Sequence, residues 1–351
     1  MSTVERTGRA SALAREALSS IRVYEGSSGA CRIDLSDNTS QWGTPPSIGR
    51  VLFGQTSDDI ARYPVPYGRD LKVAIASYLG VDAESIVTGC GSDDVLDSTI
   101  RAFGETGEKL AHLDPSFGMI PVFARVTRME PIGISLNDSP EELAQACARI
   151  VYLCSPNNPT GGVLSRSFIE QVIENATGLV IVDEAYAEFA ESSAIDLVSR
   201  YENVIVTRTF SKAFGLAGLR VGYGIAAPAI AREVEKARGP YKLSSIGERA
   251  AIAALTGDIG WMRETVAKVR ENRHRFTESL RQLGFEPLAS EANFLLVPVK
   301  DAPGVAAQMR ESGVEVRAFE GLREIGDALR ISIGPWKMME ECIAALEGTR
   351  K

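Results

Sequence analysis

The chain has 351 residues, with 38 Lys plus Arg against 46 Asp plus Glu and a formal net charge of −8. An acidic balance of this kind argues against broad binding to nucleic acid or to an anionic membrane surface. The chain contains only 2 histidines, which excludes a three-histidine metal site, and we expect no metal.

The first 20 residues contain no apolar core of the length found in signal peptides, and a helical pattern runs over Ala10–Ser20. No later apolar run approaches the roughly 20 residues that a membrane helix needs. The 5 cysteines are widely spaced without a CxxC pair, which indicates reduced thiols and neither a zinc site nor a disulfide framework. We therefore expect a cytoplasmic protein without a membrane segment.

From about residue 68 to residue 226, apolar runs typical of β-strands alternate with helical patterns. The predicted strands are Ser85–Thr88, Lys109–Leu113, Arg128–Ile132, Ile150–Cys154, Gly178–Val182, Val204–Thr207 and Val221–Ile225. The predicted helices include Ser92–Phe103, Ser116–Arg125 and Arg166–Glu174. This alternation predicts an α/β fold in which helices cover both faces of a parallel or mixed sheet. Ligands of such sheets bind in the loops at the carboxyl ends of the strands.

The rest of the chain reads as a smaller α+β unit. Ile246–Gly284 has an almost continuous helical pattern that is interrupted around Gly257–Gly260. The predicted elements after it are Asn293–Val297 (strand), Pro303–Glu311 (helix), Val314–Arg317 (strand), Ala328–Ile333 (strand) and Lys337–Leu346 (helix). The helix predicted over Ala10–Ser20 could pack against this unit.

Two loops after predicted strands combine small residues with polar ones. Gly89–Asp93 leaves a strand and opens a helix whose free N–H groups would favour an anion. Ser92 and Asp93 fit an ordinary N-cap as well. Cys154–Gly162 places two asparagines between prolines and glycines, which suits either a rigid presentation of the Asn158 amide or a structural turn.

Two further loops carry ionisable groups. Asp183 ends a buried apolar strand, where a carboxylate can be a solvated cap or can point into a shared crevice. Lys212 lies among aromatic and small residues, where desolvation would lower the pKa of its amine. A lysine of this kind can form Schiff bases, although an apolar-flanked lysine can also be an ordinary surface residue. Ser211 and Arg220 would suit a phosphate site beside it.

A last candidate lies in the segment Leu329–Gly334. Arg330 interrupts an apolar strand there, and a buried guanidinium needs either an anionic ligand or a structural ion pair. Arg317, at the end of the preceding predicted strand, could join it.

In this order and spacing, the segments SPNNPTGG, VDEAYAEF, TFSKAFGLAGLRVGY and LRISIG resemble the pyridoxal-phosphate (PLP) aminotransferases of fold type I. The resemblance extends from about residue 20 to residue 348 and is greatest to the histidinol-phosphate aminotransferase branch. It implies a three-layer α/β PLP-transferase fold with a mixed, mostly parallel central sheet and a smaller α+β domain. The expected large, PLP-binding domain spans residues 41–255. The expected small domain combines residues 1–40 and 256–351.

The resemblance implies roles for the residues around the cofactor ring. Lys212 would bind PLP as a Schiff base and then move the proton at the substrate Cα. Asp183 would pair with the pyridine nitrogen and keep it protonated. Tyr186 and Asn158 would hydrogen-bond the ring oxygen. Phe117 would stack on the ring, at a position where the family often has tyrosine.

The resemblance also implies a phosphate site and a partner subunit. The residues expected to hold the cofactor phosphate are Ser92, Asp93, Thr209, Ser211 and Arg220. Tyr63 would reach the phosphate of a neighbouring subunit, which implies a homodimer with shared active sites. The expected partners are otherwise small molecules, an amino acid and a keto acid.

The substrate remains open between two classes. Arg330 would bind the α-carboxylate of an amino acid or the phosphate of histidinol phosphate. The residues expected to assist it are Tyr24, Asn38, Tyr241 and Arg317. Histidinol phosphate with glutamate and 2-oxoglutarate is one reading. The segment Gly334–Trp336 would add an apolar wall, which favours an aromatic or general amino acid instead.

Other classes of function remain as alternatives. A PLP-dependent decarboxylase of the phosphothreonine type could use the same scaffold. A non-catalytic binding module is disfavoured because the lysine is retained and no DNA-binding segment is attached. A nucleotide-binding dehydrogenase is disfavoured because no GxGxxG follows an early strand.

Overall fold

A computed structural model describes residues 13–19, 21, 23, 31–146 and 148–349 of the chain. The sequence predicts a helix over Ala10–Ser20; the part of it that the structure describes, residues 13–19, contains a short 3₁₀ turn, Glu16–Leu18. The elements before the central sheet are β1 (Ile33–Asp34), α1 (Ser47–Phe53), α2 (Ser57–Ala61) and α3 (Arg69–Leu79).

A seven-stranded sheet forms the centre of the molecule. Its strands are β2 (Ile86–Gly89), β3 (Lys109–Asp114), β4 (Glu130–Ser135), β5 (Ile150–Cys154), β6 (Leu179–Asp183), β7 (Val204–Thr209) and β8 (Gly222–Ala226). They lie in the order β2-β8-β7-β6-β5-β3-β4, and β8 runs antiparallel to both of its neighbours. The remaining pairs are parallel, so the expected mixed, mostly parallel sheet is confirmed.

Helices cover both faces of this sheet. They are α4 (Ser92–Phe103), α5 (Met119–Val126), α6 (Pro140–Gln145), α7 (Arg166–Asn175) and α8 (Pro228–Lys236). Strands β5, β6 and β7 are buried along their whole length, which explains why aliphatic residues occupy both of their faces. Alternate residues of a strand point to opposite faces, and the core is accordingly divided into two hydrophobic clusters.

The second half of the chain adds a smaller unit. Its elements are α9 (Ser245–Gly257), α10 (Ile259–Gln282), β9 (Phe294–Pro298), α11 (Ala302–Glu311), β10 (Val314–Glu315), β11 (Arg317–Leu322), β12 (Gly326–Ser332) and α12 (Trp336–Gly348). Strands β11, β12 and β9 form an antiparallel sheet in that order. Strand β10 instead pairs in parallel with β1, with Val314 opposite Ile33, so the two ends of the chain are joined there.

The predicted strand Val314–Arg317 is wrong as a single element. It is divided into β10 and β11, because β10 pairs with β1 whereas β11 pairs with β12. The helix predicted over Ser116–Arg125 also begins later, at Met119. In the described part of the chain, no helix has the length and apolar character needed to cross a bilayer.

Candidate active site

A cavity of about 990 Å³ opens at the carboxyl ends of β5, β6 and β7 and is closed on another side by β11 and β12. It brings together most of the residues that the sequence singled out. Those lining it are Asn38, Ser92, Asp93, Phe117, Asn158, Asp183, Tyr186, Thr209, Ser211, Lys212, Arg220, Arg317 and Arg330.

Two predicted site residues that the structure describes are not among those that line the cavity. Tyr63 and Tyr241 stack on each other with ring centroids 4.8 Å apart, and both rings are exposed on the surface. Tyr24 lies outside the described residues.

Asp183 is held at the end of β6 by neutral hydrogen-bond donors. Its Oδ2 accepts from the Tyr152 hydroxyl at 2.7 Å, and its Oδ1 accepts from the Thr207 hydroxyl at 3.1 Å and the Ala185 amide at 3.2 Å. Burial raises the pKa of the Asp183 carboxyl to about 6, although these hydrogen bonds act in the opposite direction and lower it. The side chain is therefore fixed in the crevice and is not a solvated cap.

The Lys212 amine reaches into the cavity from the loop after β7. Its Nζ donates to the Asp37 carbonyl at 3.1 Å and lies 5.8 Å from the centroid of the Tyr186 ring. Desolvation, assisted by the nearby positive charge of Arg330, lowers the pKa of this lysine to about 8. An amine in this state is partly neutral near physiological pH and can act as a nucleophile or a base.

Main-chain amides and hydroxyls line one end of the cavity. Ser92 is the first residue of α4, and Gly91 before it makes no side-chain cap, so Ser92 is not the ordinary N-cap considered above. The Ser211 hydroxyl accepts from Thr209 at 2.9 Å. Arg220 contacts the Asp93 carboxylate at 3.4 Å. This combination of helix N-terminus, hydroxyls and guanidinium is suited to a phosphate.

Two glycines permit the close packing at this end. A Cβ on Gly222 would lie 2.2 Å from the Ser92 nitrogen. A Cβ on Gly91, whose φ is +79°, would lie 2.6 Å from Nη2 of Arg220. Any larger residue at either position would displace the helix terminus or the guanidinium.

Amide and phenol groups occupy the wall near Asp183. The Asn38 amide donates to the Tyr186 hydroxyl at 3.1 Å, and burial raises the pKa of Tyr186 above its ordinary value. On the other side, Arg330 donates to Oδ1 of Asn158 at 2.6 Å and to the Ser36 carbonyl at 2.7 Å.

The two arginines of the cavity lie on adjacent strands of one hairpin. Arg317 of β11 is directly opposite Arg330 of β12 in the antiparallel register. The Arg330 guanidinium lies 5.5 Å from the Phe294 ring and 5.7 Å from the Phe319 ring, and Phe319 lines the cavity with both arginines. The pair forms a cationic surface with an aromatic border.

Sequence reasoning did not identify several residues of the site. Tyr152 and Thr207 bind Asp183, and Met119, Val122 and Phe319 add apolar wall. A signal for Tyr152 existed, because a phenol inside an otherwise aliphatic, buried strand needs a hydrogen-bond partner. The remaining residues were recognisable only once the walls of the cavity were defined.

The family model for aminotransferase class I and II matches residues 33–346. The chain therefore belongs to this family of aminotransferases, and the expected PLP-transferase fold, aminotransferase class and PLP dependence are confirmed.

Among its relatives, histidinol-phosphate aminotransferase from Microcystis aeruginosa is 37% identical over 318 residues, which are 89% of this chain and 90% of that protein. The enzyme of the same name from Geotalea daltonii is 33% identical over 331 residues, 92% of this chain and 94% of that one. The crystal structure of histidinol-phosphate aminotransferase from Sinorhizobium meliloti, in complex with pyridoxal-5′-phosphate, superposes with a TM-score of 0.87 at 27% identity. That comparison covers 96% of this chain and 97% of the other.

Proposed function

We propose that this aminotransferase transfers an amino group, in a ping-pong cycle, between glutamate and the histidinol phosphate/imidazole acetol phosphate pair. The observation that carries the proposal is the placement of two opposed arginines, Arg317 and Arg330, in the cavity that also holds the low-pKa amine of Lys212. The names of the relatives support the choice of histidinol phosphate.

The residues present fit PLP. The cavity offers an amine for the aldehyde (Lys212), a carboxylate for the ring nitrogen (Asp183) and a ring to stack on (Phe117). Donors for the phosphate are the α4 amides at Ser92 and Asp93 together with Thr209, Ser211 and Arg220. The Gly91 and Gly222 positions, where a Cβ would collide, keep these donors accessible. When bound, PLP supplies the electron-withdrawing ring that makes the substrate Cα–H acidic.

The side chains of the cavity would have different roles in the reaction. The Lys212 amine would take the proton from the substrate Cα in one half of the cycle and would deliver a proton to the Cα of the second substrate in the other half. Asp183 would favour a protonated ring nitrogen. The Tyr186 hydroxyl, which accepts a hydrogen bond from Asn38, and the Nδ2 of Asn158 would hydrogen-bond the ring oxygen. Because Arg330 occupies the Oδ1 of Asn158, the donor end of that amide is left for the ring.

Arg330 and Arg317 would bind the anionic end of either substrate. A forked guanidinium donates two parallel hydrogen bonds to a carboxylate or to a phosphate, which would let one site bind glutamate and histidinol phosphate in turn. Met119, Val122 and Phe319 would border the imidazole. Trp336, which favoured an aromatic amino acid, lies instead against the guanidinium of Arg275 at 3.5 Å and is not among the cavity-lining residues.

A decarboxylase of the phosphothreonine type shares the fold. The structure of L-threonine-O-3-phosphate decarboxylase from Porphyromonas gingivalis superposes with a TM-score of 0.82 at 23% identity, covering 91% of this chain and 99% of the other. At that identity the likeness concerns the fold alone.

The proposal includes a homodimer, a cytoplasmic location, and a division into a large domain (41–255) and a small domain (1–40 with 256–351). The dimer is supported by exposed apolar side chains on and beside α1 and α2: Phe53 is 92% exposed, Ile60 68% and Tyr63 82%. The division is supported by the pairing of β1 with β10, which attaches the start of the chain to its C-terminal part.

A half-reaction screen tests the function. The PLP-loaded protein is mixed separately with histidinol phosphate, glutamate, phenylalanine and phosphothreonine, and the long-wavelength band of the bound cofactor is followed. We expect rapid loss of the band with the first two compounds and slow loss with phenylalanine. Faster reaction with phenylalanine would overturn the substrate assignment. Release of carbon dioxide from phosphothreonine without a keto-acid requirement would overturn the transaminase assignment.

A further inference from the structure

The hydroxyl of Tyr152 has a partner in the active site although its strand belongs to the core. Tyr152 is the third residue of β5, is fully buried, and donates to Oδ2 of Asp183 at 2.7 Å. In the register of β5 and β6, Tyr152 is opposite Ile181 and Cys154 is opposite Asp183. Tyr152 and Asp183 are therefore diagonal neighbours on one face of the sheet.

The remaining hydrogen bonds of Asp183 leave Tyr152 as the donor to the other carboxylate oxygen. Thr207, opposite Asp183 in β7, and the Ala185 amide both donate to Oδ1, so the Tyr152 hydroxyl is the donor to Oδ2. Asp183 is only 3% exposed, so water does not substitute freely for a lost donor. A hydrogen bond to a buried carboxylate stabilises its charged form and lowers its affinity for a proton.

We infer that Tyr152 is a positioning residue that holds Asp183 ionised and oriented, so that the proton between Asp183 and the ring nitrogen of PLP stays on the ring. The inference rests on the proposed role of Asp183. A phenylalanine would fill the same volume in β5, and the hydroxyl is thus the part of the side chain that core packing does not require. With Phe at this position, the carboxylate would compete more strongly for the shared proton.

The test measures the protonation of the ring nitrogen directly. Holoenzyme is prepared with PLP labelled by nitrogen-15 in the ring, and its NMR signal is recorded for the wild type, Tyr152→Phe, Asp183→Asn and Tyr223→Phe. Tyr223→Phe is the matched control, because Tyr223 is equally buried on β8 and is not among the cavity-lining residues.

We expect the wild type and Tyr223→Phe to show a protonated nitrogen, and Asp183→Asn an unprotonated one. In Tyr152→Phe the equilibrium of the shared proton between the ring nitrogen and Asp183 should shift about tenfold toward Asp183. This is the size of effect expected when a charged group loses one hydrogen bond. Calorimetry of PLP binding to the apoprotein near pH 7, in two buffers of different ionisation enthalpy, should show that this variant takes up fewer protons than the wild type.

The outcomes separate this inference from the proposed function. A wild-type signal in Tyr152→Phe, together with a changed signal in Asp183→Asn, would overturn the role of Tyr152 alone. A wild-type signal in Asp183→Asn would overturn the role of Asp183 and the inference with it. If Tyr152→Phe does not fold, Thr207→Val removes one of the two donors to Oδ1, leaves the Ala185 amide in place, and should shift the nitrogen signal in the same direction. An unchanged signal there would overturn the inference.

Discussion

Arg330 on β12 donates a 2.6 Å hydrogen bond to Asn158, which lies in the loop after β5 of the central sheet. This contact connects the hairpin that carries Arg317 and Arg330 with the opposite wall of the cavity. It also orients the Asn158 amide, because the oxygen is engaged by Arg330 and the nitrogen is left for another acceptor. One side chain thus serves two parts of the site.

Replacement of Arg330 by lysine should weaken substrate binding. Lysine keeps the charge but loses the fork that contacts Asn158, the Ser36 carbonyl and the anion together. We expect KM for glutamate and for histidinol phosphate to rise about 10- to 100-fold, as for loss of a charged hydrogen bond. Steady-state kinetics check this, with Arg275→Lys, whose guanidinium lies on Trp336, as the control. An unchanged KM for both substrates would contradict the assignment.

Lys212→Ala should abolish turnover while leaving a folded protein that still binds PLP. The amine is the proposed base for the Cα proton, and loss of such a group costs about 10²- to 10⁴-fold in rate. The residues proposed to bind the phosphate and the ring of PLP are untouched by the change. Cofactor content is measured after gel filtration and turnover with glutamate. Lys236→Ala, at the end of α8, serves as the control. Wild-type turnover in Lys212→Ala would refute the role.

Asp183→Asn should stabilise the apoprotein, and more at high pH than at low pH. The pKa of Asp183 is raised from 3.8 to about 6, so the folded state binds its proton more tightly than the unfolded state does. Stability from this group is present below about pH 4 and is lost as the pH rises through about 6. Above about pH 6, the folded state has lost about 3 kcal/mol of stability from this group, at 1.36 kcal/mol per unit of pKa.

Urea unfolding of the apoprotein measures this difference. We expect the gain in unfolding free energy from Asp183→Asn to be about 2–3 kcal/mol larger at pH 8 than near pH 4. Differences in hydrogen bonding that do not depend on pH cancel in the comparison. An equal gain in unfolding free energy at the two pH values would show that ionisation of Asp183 does not destabilise the folded apoprotein.

The proposed dimer leads to two different predictions for the exposed surface on and beside α1 and α2. Phe53→Asp replaces an exposed apolar side chain with a charged one and should shift the equilibrium from dimer toward monomer. Tyr63→Phe should leave the dimer intact and weaken PLP binding, because it removes the hydroxyl expected to reach the partner's phosphate site. Sedimentation and PLP titration check both, with Gln308→Asp on the exposed side of α11 as the control. A dimer that survives Phe53→Asp unchanged would place the interface elsewhere.

Much of the site could be predicted because its residues lie in short segments with strong local signals. Lys212 stands among aromatic residues directly after a buried strand, and Asp183 ends another, so the position of both at the carboxyl edge of the sheet followed from the strand pattern. The seven central strands were predicted within a few residues, since burial on both faces imposes a continuous apolar run.

Other relationships depended on pairing between distant segments. The contact of Tyr152 with Asp183 requires the register of β5 and β6, and the opposition of Arg317 and Arg330 requires the β11–β12 hairpin. Nothing in the local pattern distinguished a single strand over Val314–Arg317 from two strands that pair with different partners.

The low histidine count, read from the sequence alone, excluded a three-histidine metal site, and the resemblance of the local motifs to the family implied Lys212 as the base. The tertiary structure decided which groups adjust that chemistry: the Arg330 charge, which together with the expected burial brings the pKa of Lys212 to about 8, and the Tyr152 hydroxyl on Asp183. The physical reason is that periodicity reports how much of each residue is buried, whereas the identity of its neighbours is set by register and by the packing of separate elements.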